Sequence, residues 1–295
     1  HPVMELVEKP IPEPGDDEVL LKVGGAAVCG SDTLFLGEDE EGYTHYCGHC
    51  RLPVVIGHEF SGEIVKLGKN VKQFQAGDLV VAETMNWCGE CGACRQGLFN
   101  QCENLEEIGF SLDGGYAEYL VAKEKFCFSV GSLVAAMVEP TAVAYNGMFT
   151  RGGGFMPGSN VAVFGAGPIG LSATSLARAA GAAKVITFEI VPERMALAEK
   201  VGADIVLNPL ELEAQGITPS EKVLELTDGI GVGMAVEATH HQPETIIEIE
   251  KMMAIGGTIA QIGIYPDATP ILSSPLQKKG INYHFSIGSS GHGIW

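Results

Sequence analysis

Four cysteines stand within fifteen residues as Cys88-x2-Cys91-x2-Cys94-x7-Cys102. Thiolates at this spacing can converge on one point, and four sulfurs around zinc make a closed tetrahedral site with no position left for a reactant. The chemistry expected of them is structural, a staple for a lobe. Clustered cysteines also hold iron–sulfur clusters, the competing use of such a run. They lie too close together for an ordinary disulfide framework. Metal-ligating thiols with no visible targeting segment point to a reducing compartment, and the expected location is cytoplasmic.

A second pattern, Gly165-Ala166-Gly167-Pro168-Ile169-Gly170, fits G-x-G-x-x-G and follows the apolar run Val161–Phe164. An alanine-rich helical segment starts at Pro168, so backbone N–H groups at a positive helix end can face a pyrophosphate. Gly165 allows the tight turn, Gly167 allows close phosphate approach, and Gly170 lets helix and sheet pack closely. Glu189 lies nineteen residues beyond Gly170. A carboxylate there accepts ribose hydroxyls and repels a 2′-phosphate, which favours NAD over NADP. Arg194 is expected near the adenine, and Ile262, Gly263 and Ile264 along the nicotinamide side. A chain that carries hydride on NAD needs no electron relay, so zinc is expected at the cysteine cluster.

A third set is dispersed: Cys29 in Cys29-Gly30-Ser31-Asp32, His58 with Glu59, and Glu139 before Pro140. Each alone has a plain explanation as a buried thiol, a satisfied histidine or a helix-leading acid, and spacing leaves the matter open. In order, however, Cys29 to Asp32, Gly57-His58-Glu59-Phe60-Ser61-Gly62, the four cysteines, Glu139-Pro140 and Gly165 to Gly170 resemble the zinc-dependent medium-chain dehydrogenase/reductase family. That family is the alcohol and sorbitol dehydrogenase superfamily, and the resemblance covers nearly the whole chain. Glu41-Gly42-Tyr43, Asp113 to Tyr119, Val138 to Asn146 and Ser290 to Gly293 are most similar to its scyllo-inosose dehydrogenase-like branch, with sorbitol and threonine dehydrogenases as relatives.

The resemblance implies an α/β protein with a GroES-like β-rich catalytic domain, a Rossmann domain of doubly wound parallel sheet, and a catalytic zinc in the cleft between them. Cys29 and His58 would be ligands, with Glu59 and Glu139 competing for the third protein position. Asp32 would orient the histidine from behind. Ser31 would take the substrate's hydroxyl proton, but Leu34 stands where many relatives continue the relay with histidine. Apart from the resemblance, Phe110 is expected either to line the substrate pocket or to pack in the core, and His292 lies in a glycine-rich run that either approaches the site or forms a solvent-exposed loop. The implied activity is hydride transfer from a secondary alcohol of a polyol or cyclitol, such as an inositol or inosose, to NAD, in a homotetramer or homodimer. Sorbitol or L-threonine oxidation is the alternative within the class. A noncatalytic NAD-binding protein that kept the fold is the alternative outside it.

These groups need elements to position them. Short apolar runs at Glu18–Val23, Phe60–Val65 and Leu79–Val81 predict strands of a β-rich region. The breaker-rich stretch from Arg151 to Gly158 predicts a boundary, giving domains 1–150 and 151–295. Beyond it, strands at 161–164, 184–188, 203–207, 234–236 and 258–262 alternate with helices at 168–180, 192–201, 220–226 and 244–254. Such alternation predicts a parallel, doubly wound sheet.

Composition supports a core-forming protein with unlike halves. The 295 residues carry a formal charge of −19, with 23 acidic and 9 basic side chains in residues 1–150 and 14 and 9 in residues 151–295. Such a surface is a poor partner for nucleic acid or an anionic membrane. Glycines and prolines break the longest uncharged run, so no membrane-spanning helix is expected. The chain starts at His1 and stops at Trp295 after a glycine- and serine-rich run. The expectation is a longer enzyme with further residues at both ends, including the segment by which relatives return to the catalytic domain.

Overall fold

A computed structural model describes residues 4–35, 37, 50–239, 243–265 and 269–289. Glu41-Gly42-Tyr43 and Ser290 to Gly293, with His292, lie outside the described residues. The chain divides into two units. One runs up to Glu139 and takes in Ser289, and the other spans Pro140–Gly288. The division falls before the breaker-rich stretch expected to mark it, because Val143, Ala144 and Met148 pack into the core of the second unit.

The first unit is built on a five-stranded antiparallel sheet. Its strands are β1 (Glu18–Ala27), β2 (Glu59–Leu67), β3 (Leu79–Ala82), β6 (Tyr119–Lys123) and β7 (Cys127–Ser129), in the order β6-β1-β2-β3-β7. A small ribbon pairs β4 (Met85–Asn86) with β5 (Glu106–Glu107). Val19, Leu21, Phe60, Ile64, Val80 and Leu120 form the core beneath the sheet. Burying each such side chain contributes about 1.5–3 kcal/mol. Two short helices carry chemistry: α1 (Gly30–Leu34) after β1, and α2 (Gly92–Arg95) within the cysteine run. Helix α3 (Val138–Tyr145) begins with Glu139 in its first turn.

The second unit is the expected doubly wound sheet. Six parallel strands, β8 (Asn160–Phe164), β9 (Lys184–Phe188), β10 (Ile205–Leu207), β11 (Val232–Glu237), β12 (Met253–Gln261) and β13 (Asn282–Phe285), stand in the order β10-β9-β8-β11-β12-β13. Alternate residues of β8 enter opposite cores. Ala162 and Phe164 join Ile186 and Phe188 on one face, and Val161 and Val163 join Val185 on the other. Burial on both faces is why this strand reads as an unbroken apolar run. Helix α4 (Pro168–Ala179) covers the second face with Ala173 and Ala177, and α5 (Pro192–Val201) follows β9.

Several elements differ from expectation, three strands of this sheet among them. Strand β12 starts at Met253 rather than Thr258, because its first two residues continue the apolar pattern of the preceding helix and Gly256-Gly257 then breaks the run. Strand β10 starts two residues late, at Ile205. Strand β13 carries no apolar run, since Asn282 and His284 alternate with Tyr283 and Phe285 at the sheet's edge, and it was not anticipated. Among the described residues no helix is long and apolar enough to cross a membrane.

Candidate metal centres and nucleotide site

The short helix α2 folds the four cysteines into one cluster whose ligand atoms all lie within 4.8 Å of one another. Cys88 and Cys94 Sγ are 4.0 Å apart and Cys91 and Cys102 Sγ are 3.9 Å apart. Zinc–sulfur bonds of about 2.3 Å in a tetrahedron put sulfurs about 3.8 Å apart, whereas a disulfide would need about 2.05 Å. The described cysteines are free thiols. Backbone N–H groups aim at these sulfurs. Glu90 and Cys91 donate to Cys88 Sγ, and Cys88 and Asn104 donate to Cys102 Sγ. The donors from Glu90 and Cys91 draw the Cys88 thiol down to about 6, while burial pushes Cys94 up to about 12. A closed four-thiolate site whose sulfurs also accept N–H bonds fits a structural zinc.

The dispersed set converges elsewhere in the same unit. Cys29 caps α1, His58 and Glu59 lie at the start of β2, and the three offer ligand atoms within 4.8 Å of one another. His58 and Glu59 are buried. Asp32, in the first turn of α1, brings Oδ1 to 3.4 Å from His58 Nδ1, and Oδ2 accepts from the Cys29 N–H at 2.9 Å. Ser31 Oγ lies 3.5 Å from His58 Nε2. Burial opposes a charge on His58, yet the facing Asp32 carboxylate, then Cys29 and the charge of Glu139, lift it to about 11, although Asp32 Oδ1 and His58 Nδ1 do not close to a hydrogen bond. A site that pulls a proton this strongly onto an imidazole is one that attracts a cation. Glu59 supplies the matching defect. Its Oε2 is buried without a hydrogen-bond partner, and burial raises its carboxyl. Cysteine sulfur, imidazole and an orphaned carboxylate oxygen make a donor set that fits zinc with room for another ligand.

Glu139 is half-buried and stands outside that three-residue group. Burial pushes its carboxyl to about 7, and its charge is coupled to His58, Glu59 and Glu107. Phe110 is buried with its ring centroid 4.6 Å from that of His58, so it shields the ligand's face from water. Two residues of this neighbourhood were missed in sequence. Glu107 on β5 feels the charge of His58 and is pushed by burial to about 7. The second, Tyr116, donates to Asp32 Oδ2 at 2.8 Å. An acid next to Ile108 in an otherwise ordinary strand carried no signal. The aromatic motif around Tyr116 was noticed only as part of a resemblance.

In the second unit the glycine loop joins β8 to α4. Gly165 has φ +88°, a conformation a side chain resists, and a Cβ on Gly170 would fall 1.8 Å from the Gly165 carbonyl oxygen. Around Gly167, the N-cap of α4, a Cβ would meet nothing within 4 Å, and no side chain caps the helix. The positive helix end and the open cradle fit a pyrophosphate. They sit where the strand order reverses between β8 and β11, the switch point at which such sheets bind nucleotides. Glu189 is buried at the end of β9. Its Oε2 accepts from Ala166 N–H at 2.8 Å, and Oε1 accepts from Ile190 and Val191 at 2.7 and 2.9 Å. It therefore clamps the glycine loop as well as facing the crevice. Arg194 is exposed on α5. Ile262 corrects one expectation, because its side chain is in the core where a Cβ on Gly147 would strike it, which leaves Gly263 and Ile264 at that strand end.

Comparison with known proteins agrees with both halves of the geometry. Residues 15–132 match the alcohol dehydrogenase GroES-like domain and residues 168–293 the zinc-binding dehydrogenase domain. Scyllo-inosose 3-dehydrogenase of Thermotoga maritima is 38% identical over 97% of this chain and 77% of its own. L-threonine 3-dehydrogenase of Saccharopolyspora erythraea is 36% identical, covering 95% and 80%. A zinc-binding dehydrogenase structure from Sinorhizobium meliloti 1021, bound to NADP, superposes with TM-score 0.83 at 30% identity, covering 95% of this chain and 80% of that one.

Proposed function

The chain belongs to the zinc-binding medium-chain alcohol dehydrogenase family, and from that premise we propose that it oxidises a secondary alcohol of a polyol or cyclitol with NAD as hydride acceptor. The observation that carries the proposal is the convergence of Cys29, His58 and Glu59 within 4.8 Å, with a Glu59 oxygen buried and unpartnered. Zinc held there would lower the pKa of a substrate hydroxyl, and NAD, when bound, would accept the hydride. Ser31 is placed to take the hydroxyl proton, with Asp32 fixing the imidazole beside it. Leu34 offers no continuation, so Glu59, Glu139 or an ordered water would receive the proton next. Glu139 suits that task, being held near 7 by burial. Glu59 and Glu139 remain the two contenders for the third ligand position, and Glu59 has the better support because Glu139 is outside the close group.

The substrate class rests on acids. Glu59, Glu107 and Glu139 all feel the charge of His58, a concentration of acids greater than a simple alcohol requires and suited to several hydroxyls. The same negative charge suits the ammonium of L-threonine, so that substrate is the second reading, in keeping with the relative named above. Preference for NAD rests on Glu189. Its three N–H bonds leave a lone pair for a ribose hydroxyl, and its charge opposes a 2′-phosphate. Arg194, Gly263 and Ile264 are assigned to the adenine and nicotinamide sides. Free thiols throughout the described residues support a reducing, cytoplasmic setting. Exposed Phe285 on the edge strand and Ile287 just beyond it support a homodimer or homotetramer.

The test is a panel of inositols, inososes, sugar alcohols and L-threonine, followed by NADH absorbance on protein whose zinc has been counted. Turnover of a cyclitol or polyol with two zinc ions per chain is expected. Two zinc ions with no turnover of any member would overturn the substrate assignment, and a single zinc confined to the cysteine cluster would favour a noncatalytic nucleotide-binding role.

A further inference from the structure

Asp32 faces His58 across 3.4 Å and is held in place by other donors. Its Oδ2 accepts from the Cys29 N–H at 2.9 Å and from Tyr116 Oη at 2.8 Å, while Oδ1 faces His58 Nδ1 at 3.4 Å. The Tyr116 hydroxyl has a weaker alternative acceptor, the Ala27 carbonyl at 3.2 Å. Its single proton belongs with the nearer, charged oxygen. Burial and the negative charge of Asp32 raise the hydroxyl well above the ordinary tyrosine range, so it stays a donor at any working pH.

The backbone is shaped for this contact. Tyr116 N–H donates to Ile56 O at 3.0 Å, and Gly115 N–H donates to Gly57 O at 2.7 Å, which ties the tyrosine to the segment leading into His58. Gly57 has φ +97°, and a Cβ there would come within 2.4 Å of the Tyr116 ring. A residue with no side chain therefore stands directly before the histidine so that the ring can lie against it.

We propose that Tyr116 is a positioning residue for the catalytic metal site: through Asp32 it fixes the carboxylate plane, and so the orientation of the His58 ring and the spacing of His58 from Cys29. Two donors on Oδ2 leave Oδ1 as the atom that faces the imidazole. Remove the hydroxyl and the carboxylate keeps one donor and gains a rotation. Outer partners of metal-bound histidines change metal affinity by about 10–100-fold when lost, and a group acting one bond further out belongs at the lower end.

This inference rests on the zinc reading of Cys29, His58 and Glu59, and the test separates the two. Tyr116→Phe keeps the ring against Gly57 and removes only the hydroxyl. Zinc release to a chelating dye is followed from wild-type protein and from the variant, and the d–d spectrum is recorded after cobalt replaces zinc. Wild type should release two zinc ions in two phases. In Tyr116→Phe one phase should quicken about tenfold while the other is unchanged, and the cobalt spectrum should shift. Asp32→Asn, which leaves the tyrosine no charged acceptor, should quicken the same phase at least as much, and adding Tyr116→Phe to it should change little more. Two phases in wild type with Tyr116→Phe unaltered in rate and spectrum would overturn the role of Tyr116 alone. Release of only one zinc from wild type would overturn the underlying site.

Discussion

The two metal-binding regions of the first unit solve opposite problems with overlapping residue types. The four-cysteine cluster takes all its ligand atoms from Cys88 to Cys102, and its sulfurs are supplied with backbone N–H bonds from the same stretch and from Asn104 just beyond it. The other set draws Cys29 from the lead into α1 and His58 and Glu59 from β2, and it leaves Glu59 Oε2 without a partner in a buried setting. A saturated site has nothing further to offer a reactant. An unsaturated one stores electrostatic demand, and the surplus acids around His58 are its measure. What separates structure from chemistry here is the number of donors left unsatisfied, which outweighs the identity of the ligands.

The contrast is broken most severely by attacking each centre. Cys102→Ser should destabilise the lobe, because structural zinc contributes on the order of 10–16 kcal/mol of apparent binding free energy that is also folding free energy. Limited proteolysis should then cut within residues 88–102, and the thermal midpoint should fall sharply. Cys29→Ser should do the reverse, with turnover down at least about 10³-fold, beyond the loss expected of an outer partner, and the thermal midpoint little changed. Equal loss of fold in both variants would erase the distinction between a staple and a working site.

The same contrast explains what could be read in advance. The cysteine cluster and the glycine loop are local, and their spacing alone encodes a geometry that one turn of backbone can realise. The doubly wound sheet was legible because β8 and its neighbours are buried on both faces and read as apolar runs. Cys29, His58 and Glu139 are far apart in sequence, and only a known pattern of such residues brought them together. Glu107 had neither advantage. It reaches the site because the β4–β5 ribbon places it there, a tertiary fact with no signature in its neighbours. Ile262 lies just past the end of β12, where the sequence does not mark whether a side chain turns to the core or to the crevice, and it turns to the core.

A middle-sized effect tests the nucleotide site, which resembles the working centre in keeping a charged group partly in reserve. Glu189→Gln deletes the charge and keeps one oxygen acceptor, enough for Ile190 and Val191 while the bond from Ala166 is given up. Affinity for NADP should rise relative to NAD by about tenfold, equivalent to about 1.4 kcal/mol, as measured by the ratio of KM values. A variant with an unchanged ratio would show that Glu189 acts only as the clamp on Ala166, Ile190 and Val191.

The smallest predicted effect probes how much of the electrostatic demand at the working centre comes from an acid that is not a ligand. Burial raises Glu107 from an ordinary 4.5 to about 7, so the folded protein holds its proton over a pH range in which the unfolded chain has released it. The folded state binds more protons there, and stability must fall as pH rises. The contribution is therefore complete below about 4.5 and lost as pH passes about 7. In protein stripped of metal, the thermal midpoint should drop across that window, and Glu107→Gln, which cannot ionise, should flatten the drop by on the order of 2 °C. Zinc should produce a similar flattening in wild type, because a nearby divalent charge favours the ionised carboxylate in the fold. If Glu107→Gln leaves the metal-free profile unchanged, Glu107 ionises as freely in the fold as outside it, and the surplus charge around His58 belongs to Glu59 and Glu139 alone.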